Sequence, residues 1–277
     1  MQSPSPLRYP GGKTKLFPYV KKIINENNLQ KSIYIEPFAG GCGLAISLLK
    51  KGLVNKIVIN DYDYAIYSFW YSILNYTDEF CERIENIDVN LDQWDIQKNI
   101  YNHQDEHTIL DVGFSTFFLN RTNRSGIING GVIGGKAQDK KYKMDCRFNK
   151  HALISKIKEI ATYSDFITVM NYDVFNLIDN VIYNMPIDNT FIYFDPPYVK
   201  KGKQLYKNYF EFQDHVNLRN SIINIRHKWL VTYDHTDEIA ILYQRYNQDV
   251  IDINYSAGTN KMGQELAIYS NNLIMPL

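Results

Sequence analysis

Asp195, Pro196, Pro197 and Tyr198 are the residues of this chain whose types and order point most directly to chemistry. They end the run TFIYFDPPY, in which Thr190–Phe194 reads as a strand buried on both faces. Asp195 is where such a strand must surface, and two prolines then forbid both a sheet ladder and a helix. The segment is held stiff at a strand's carboxyl end, where open α/β sheets bind ligands. A carboxylate beside the fixed carbonyl of Pro196 can accept both hydrogens of a nucleobase's exocyclic amino group. Such amines are poor nucleophiles because the nitrogen lone pair is delocalised into the ring. Gripping both hydrogens localises that pair, and fixed acceptors then meet the positive charge nitrogen gains in the transition state. Tyr198 offers a flat face for the base to stack on. In-line attack on a sulfonium methyl would need mainly positioning, with no metal. An acid capping a strand before a Pro-Pro turn explains a lone Asp-Pro, but less readily the whole tetrapeptide.

A second cluster lies in SIYIEPFAGGCGLAISLLKKG. A strand ends at Glu36-Pro37-Phe38, the tight turn Ala39-Gly40-Gly41 follows, and a helix begins near Gly43. Glycines there let a ligand approach the backbone at a helix amino terminus. The spacing is not GxGxxG, because Ile46 occupies the third position counted from Gly41, so a pyrophosphate cradle is disfavoured. The next strand, KIVIND, ends in Asp61, 21 residues after Gly40, where a carboxylate suits a ribose 2′,3′-diol. Together these describe a nucleoside pocket without a diphosphate, as a sulfonium nucleoside would need. Other motifs fail on count. RYPGGKTK has Leu7 where a P-loop wants its first glycine, and no strand precedes it. HQDEH at 103–107 departs from HExxH, has no nearby third ligand, and reads as a solvated helix face. No GxSxG elbow occurs.

These residues need a scaffold that brings strand ends together. Strand-like runs recur at Ser32–Phe38, Lys56–Asn60, Asp165–Asn171, Thr190–Phe194, Lys228–Tyr233, Gln248–Tyr255 and Glu265–Ser270. Helical patterns separate most of them: Asn149 can cap a helix with apolar Leu153, Ile154, Ile157, Ile160 and Ala161, and Val216–Ile225 and Glu238–Tyr243 behave similarly. Strands alternating with helices imply a parallel sheet covered on both faces. Only Ser256–Gln264 separates the last two runs, too short for a crossover helix, so they are expected to pair antiparallel. From about Tyr62 to Lys150 the rhythm breaks into an acidic helical stretch and then a glycine-rich one, expected to be an inserted subdomain.

Bulk properties bound the class. The chain has 277 residues, 45% hydrophobic and 22% charged, ordinary for a globular protein. Net charge is zero, yet residues 78–111 hold ten acids against two bases while 120–150 hold eight bases against two acids. Such segregation can steer a polyanion to one face, although two solvated surface stretches would look the same. Three scattered cysteines, without CxxC, fit a reducing compartment and argue against structural zinc. Without a signal-like or membrane-spanning apolar run, the expected location is the cytoplasm.

With these motifs assembled, the chain resembles the D12 class (Dam-like, alpha group) of DNA adenine-N6 methyltransferases. The likeness spans nearly the whole chain, through RYPGGK at 8–13, EPFAGG at 36–41, Asn60-Asp61, FFLNRT at 117–122, KKYKMDCRFNK at 140–150 and DPPY at 195–198. The resemblance implies a Rossmann-like seven-stranded class I methyltransferase sheet from 1–61 and 151–277, with a DNA target-recognition insert at 62–150. It implies S-adenosylmethionine as cofactor, no metal, and double-stranded DNA as partner. Tyr9, Lys13, Phe38, Ala39, Gly40, Asp61 and Asp173 would form the cofactor site, Lys13 near the cofactor's carboxylate and Asp173 near its adenine. Asp195, with Pro196 and Tyr198, would lie between methyl donor and an adenine flipped out of the duplex. Arg121, Arg124, Lys136, Lys140, Lys141 and Lys143 of a glycine-rich hairpin would read bases or clamp phosphates. Lys200 and Lys201, past the active site, would touch phosphates near the flipped base.

RTNRSGIINGG departs from the aromatic-Asn-Gly form of GATC-reading members, having Arg124 and Ser125 there, so a different recognition sequence is expected. A monomer or weak dimer, with or without a cognate restriction endonuclease, completes the expectation. Two rivals stay open: a methyltransferase acting on RNA or a protein amide, and a non-catalytic DNA-binding regulator on the same scaffold. Asp at the head of the tetrapeptide and a basic insert favour DNA adenine. Intact Lys13, Asp61, Asp195 and Tyr198 argue against decay.

Overall fold

The computed structural model describes residues 3–9, 11–199, 210–255 and 261–276. They form two compact units: Met1–Ser3, Lys13–Tyr62 and Phe166–Leu277 make one, and Pro4–Gly12 with Asp63–Asp165 make the other. Among the described residues, no helix is long and apolar enough to cross a membrane.

The first unit is built on a seven-stranded sheet in the order β3-β2-β1-β4-β5-β7-β6. Its strands are β1 (Ser32–Glu36), β2 (Val54–Asn60), β3 (Ile167–Met170), β4 (Thr190–Phe194), β5 (Lys228–Asp234), β6 (Asn247–Tyr255) and β7 (Lys261–Tyr269). β1 to β5 are mutually parallel, whereas β7 runs antiparallel to both β5 and β6, as the short final connection requires. This is the Rossmann-like seven-stranded sheet expected from sequence. Every residue of β4 is buried, which explains its uninterrupted apolar run at the centre of the sheet.

Period-2 alternation divides the core between the two faces. One face carries Ile35, Val58, Ile192, Phe194, Trp229, Val231 and Tyr233, packed with Leu177, Ile178, Leu218, Ile222 and Ile239 from the helices Val174–Asn180, Phe212–Ile222 and Asp237–Leu242. Tyr34, Ile57, Ile59, Phe191 and Tyr193 alternate with these residues and are equally buried.

Two polar side chains are buried where strands β1 and β2 end. Asn60 donates from Nδ2 to the carbonyls of Pro37 (3.0 Å) and Tyr172 (2.9 Å), and its Oδ1 accepts from the Tyr172 N–H (2.8 Å). One amide thus ties the ends of β1, β2 and β3, and leaving any of these buried groups unpaired would cost about 1–3 kcal/mol. Glu36 ends β1 and accepts from the Tyr34 hydroxyl (3.1 Å) and the Ala45 N–H (3.1 Å). Burial pushes its carboxyl up to about 8, with the Asp195 charge adding to the rise and the Tyr34 and Ala45 bonds opposing it.

The second unit is helical. Helices Tyr64–Asn75, Thr77–Asn86, Leu91–Asn102, Ile109–Thr122 and Lys150–Ala161 enclose a core of aromatic rings. Phe69 and Phe117 stack at 5.9 Å, and Phe80 meets Phe114 edge-on at 5.4 Å. The helix Lys150–Ala161 has the expected Asn149 cap, its side chain accepting from the Ala152 N–H at 3.0 Å. The glycine-rich segment contains one isolated antiparallel bridge, Asn123 with Val132, among turns. Gly113 permits a close helix contact: a Cβ there would lie 2.5 Å from the Ser68 carbonyl oxygen.

Gly113→Ala should therefore lower stability by roughly 2 kcal/mol or more in urea unfolding, since backbone must move to admit the methyl. Glu36 makes a pH-dependent contribution with a defined sign. A carboxyl that holds its proton more tightly folded than unfolded contributes in full below its unfolded pKa, and the contribution is lost as pH rises through about 8. Glu36→Gln should flatten that decline; an unchanged stability–pH slope between acid and pH 8 would show that Glu36 does not cause it.

Candidate active site

Strand register sets the site. Ile35 pairs with both Val58 and Ile192, and Phe194 pairs with Val231. Counting three residues on from Ile35, Val58 and Ile192 brings Phe38, Asp61 and Asp195 level along one edge of the sheet, and Thr232 follows Val231 beside Asp195. That edge holds the carboxyl ends of the parallel strands. β1 lies between β2 and β4, where the direction of strand succession reverses and open α/β sheets hold their ligands.

Asp195 surfaces where β4 ends, its side chain 23% exposed. Around it lies a buried polar cluster. The Lys13 ammonium is 3.1 Å from Asp195 Oδ1, and donates to Glu265 Oε1 at 2.5 Å and to the Tyr198 hydroxyl at 2.6 Å. Tyr198 donates its own hydroxyl hydrogen to Glu265 Oε1 at 2.6 Å. The Thr232 hydroxyl reaches Asp195 Oδ1 at 3.5 Å and pairs with the Tyr193 hydroxyl at 2.7 Å. Burial raises the Asp195 carboxyl well above the usual range; Lys13 pulls it back, and Glu265 pushes it up again. Pro196 is buried, and the Val199 N–H after the tetrapeptide donates to Asp234 Oδ1 at 3.2 Å. The lip is thus pinned at both ends.

The nucleoside-type features lie on β1 and β2. The Gly40 N–H, at a positive φ of 46°, donates to Asp61 Oδ2 at 2.8 Å. The Ala39 N–H donates to the Asn60 carbonyl at 2.8 Å, so the turn is anchored to the end of β2. Phe38 is partly buried and meets Phe210 edge-on at 6.0 Å. Asp173 caps the helix Val174–Asn180, Oδ1 accepting from the Phe175 (3.0 Å) and Asn176 (3.1 Å) N–H groups and Oδ2 from the Asn176 amide. Lys13 is engaged with Asp195 and with Glu265. Tyr9 belongs to the helical unit, its carbonyl accepting from the Gly12 N–H at 3.2 Å.

In the helical unit the basic residues divide into two kinds. Arg121, near the end of the helix Ile109–Thr122, donates to the Arg147 carbonyl through Nε (2.7 Å) and Nη2 and to the Pro6 carbonyl at 3.4 Å. Burial and the neighbouring Arg8 and Arg147 charges push it down to about 10. Its guanidinium therefore clasps backbone. Arg124, Lys136, Lys140, Lys141 and Lys143 are exposed, although Arg124 Nε donates to the Val132 carbonyl at 3.4 Å; Lys136 reaches Asp95 at 3.5 Å and lies over the Trp94 ring at 5.7 Å. Lys200 and Lys201 lie outside the described residues.

Three polar residues of structural weight were not singled out from sequence as parts of a cluster. Glu265 is wholly buried beneath the acidic lip. Asn120 accepts from the Arg8 N–H at 2.7 Å and donates to the Gly126 carbonyl at 2.7 Å, tying the amino-terminal strip into the helical unit. Asn123 accepts from the Trp94 indole at 2.7 Å and donates to the Ile128 carbonyl at 2.7 Å. A buried-type asparagine inside an apolar helix, as in FFLNRT, is the one sequence signal that could have marked such a staple.

Known proteins fit this arrangement. The chain is 25% identical over 214 residues to the type II methyltransferase M.MjaIII of Methanocaldococcus jannaschii, covering 71% of this chain and 70% of that protein. Among solved structures, a precorrin-8w decarboxylase from Methanobacterium thermoautotrophicum superposes with a TM-score of 0.37 at 10% identity, over 95% of this chain and 93% of that one. A precorrin-6y C5,15-methyltransferase from Geobacter metallireducens gives 0.36 at 8% identity, over 90% and 85%. At these scores the fold rests on the strand order of the chain itself. The family model for the D12 class of N6 adenine-specific DNA methyltransferases matches residues 9–256, and the chain belongs to that family.

Proposed function

We propose that this DNA methyltransferase transfers the methyl group of S-adenosylmethionine to the N6 amine of adenine in a specific duplex sequence. The observation that carries the reading is the Asp195 carboxylate, the partly exposed member of an otherwise buried charged cluster, held level with Phe38 and Asp61 at the sheet's reversal point. The donor set suits the cofactor: a carboxylate at the end of β2 for a ribose diol, a glycine turn for close backbone approach, and an aromatic edge for the adenine. When bound, S-adenosylmethionine supplies an electrophilic methyl on a sulfonium that departs as a neutral thioether.

The remaining work falls to this chain. Asp195 and the Pro196 carbonyl accept the two amino hydrogens of an extruded adenine, which localises the nitrogen lone pair. The Tyr198 ring, its hydroxyl anchored to Glu265, faces the base. As the carbon–nitrogen bond forms, nitrogen becomes positively charged, and one proton passes to Asp195 and then to solvent. Extrusion is needed because N6 is unreachable inside a stacked duplex. Arg124, Lys136, Lys140 and Lys141, exposed on the insert, provide contacts to DNA, and Arg124 reads bases. The similarity to a type II methyltransferase supports a role beside a cognate restriction endonuclease.

Tritium transfer from labelled S-adenosylmethionine to DNA, RNA and protein separates the substrate classes, and single-molecule sequencing of DNA from expressing cells identifies base and site. Label in adenine of DNA is expected; label confined to RNA or protein would overturn the assignment. Asp195→Ala should reduce turnover by roughly two to three orders of magnitude, the scale of losing a preorganised electrostatic contact. Its unfolding midpoint should stay near the parent's, because Lys13 keeps Glu265 as a partner. Arg124→Ala should broaden the set of methylated sites, and an unaltered site preference would remove Arg124 from base readout.

A further inference from the structure

We propose that Glu265 is a positioning residue for methyl transfer, sharing the Lys13 ammonium so that the Asp195 carboxylate remains an acceptor, and fixing the Tyr198 ring through its hydroxyl. The inference rests on the methyltransferase reading above. Glu265 is fully buried and cannot touch substrate, so any effect it has passes through its neighbours. Those neighbours are the lip itself: Glu265 Oε1 takes hydrogen bonds from Lys13 at 2.5 Å and from Tyr198 at 2.6 Å. A buried ammonium 3.1 Å from Asp195 with no other anion would neutralise that carboxylate and occupy its lone pairs. Here the shorter of its two carboxylate contacts is to Glu265. Among the described residues one cation lies between these two carboxylates, and Asp195 is the member with exposed surface.

β7 makes this possible. It runs antiparallel to β5, and Glu265, midway along it and the first of its residues to pair with β5, lies opposite Asp234 at the carboxyl edge of the parallel strands. The groups facing Asp195 can be named from each element around it. Among the described residues they are Lys13 from the turn Lys13–Leu16, Glu36 from β1, Tyr193 from β4, Thr232 and Tyr233 from β5 and Glu265 from β7, with Tyr198 and Asp234 bonded to the same cluster and lip. Tyr193 and Tyr233 are held neutral by burial, and burial keeps the proton on Glu36. Lys13 and Glu265 are the charged groups that set the state of Asp195 most directly, and they act in opposite directions.

The test is the pH profile of kcat on unmethylated plasmid DNA with tritiated S-adenosylmethionine. Asp195 must be deprotonated to accept hydrogens, so the rate falls as pH falls through its pKa. Removing the like charge of Glu265 favours the ionised form of Asp195, so Glu265→Gln should move the acid limb to lower pH by about half a unit or more. The same change gives Lys13 wholly to Asp195, so the plateau kcat should fall roughly tenfold or more, with calorimetric affinity for S-adenosylmethionine unchanged. A merely structural loss would lower the plateau and leave the limb in place, and that result would overturn the proposal. Glu265→Asp withdraws the charge by one methylene, so the plateau should drop and the limb move in the same direction by less. If the Gln variant does not fold, the Asp variant decides, and an acid limb at the parental pH in it overturns the proposal. A parent enzyme that leaves DNA unlabelled sinks the methyltransferase reading as well. An active parent whose variants match it sinks this inference alone.

Discussion

The most consequential interaction in this protein is the Lys13 ammonium buried between the carboxylates of Asp195 and Glu265. A buried ammonium is tolerable only where charge and hydrogen-bond partners compensate the lost hydration. Oxygens of Asp195, Glu265 and Tyr198 do so here. The arrangement draws together the chain's amino-terminal turn, the end of β4, the proline-stiffened lip and β7. It also sets the electrostatics of the lip. Two acids flanking one base keep a carboxylate partly exposed without leaving it uncompensated.

Register supplies the second constraint. In parallel neighbours a fixed pairing carries every strand end to a fixed height, so Phe38, Asp61 and Asp195 need no contact with one another to lie along one edge. Asn60 secures this by joining the ends of β1, β2 and β3 through one buried amide. The Asp61 carboxylate holding Gly40, and the helix cap made by Asp173, show how the residues proposed to meet the cofactor also shape the backbone that meets it. An acid can fill both roles only if one hydrogen-bonding direction stays open to a ligand.

In the helical unit, polar residues with sequence signatures of DNA contact turn out to perform different tasks. Arg121 is partly buried and gives its guanidinium to the backbone carbonyls of Arg147 and Pro6, while Arg124, with one bond to the Val132 carbonyl, and the lysines after it are exposed. The difference is geometric. Arg121 lies in the final turn of a helix whose neighbouring positions Asn120 and Thr122 are fully buried, so its side chain runs along protein surface. The glycine-rich segment beyond holds few apolar side chains that could draw its basic residues inward.

The sequence by itself determined the sheet and the acidic lip. Apolar runs of strand length, punctuated by glycine, proline and acids, specify strands and their ends locally, and a connection too short for a crossover forces the closing antiparallel pair. What it left open are contacts between residues far apart in the chain. Glu265 is the clearest case: site residues are expected just after parallel strands, but the point where antiparallel β7 begins to pair with β5 lies at that same edge. The partner of Lys13 was likewise undetermined, because an ammonium's choice among carboxylates depends on which of them folding buries beside it. Whether Arg121 meets backbone or solvent was decided the same way, by how deeply its helix is packed. Propensity and pattern are properties of short stretches; burial and long-range pairing exist only once the chain has closed on itself.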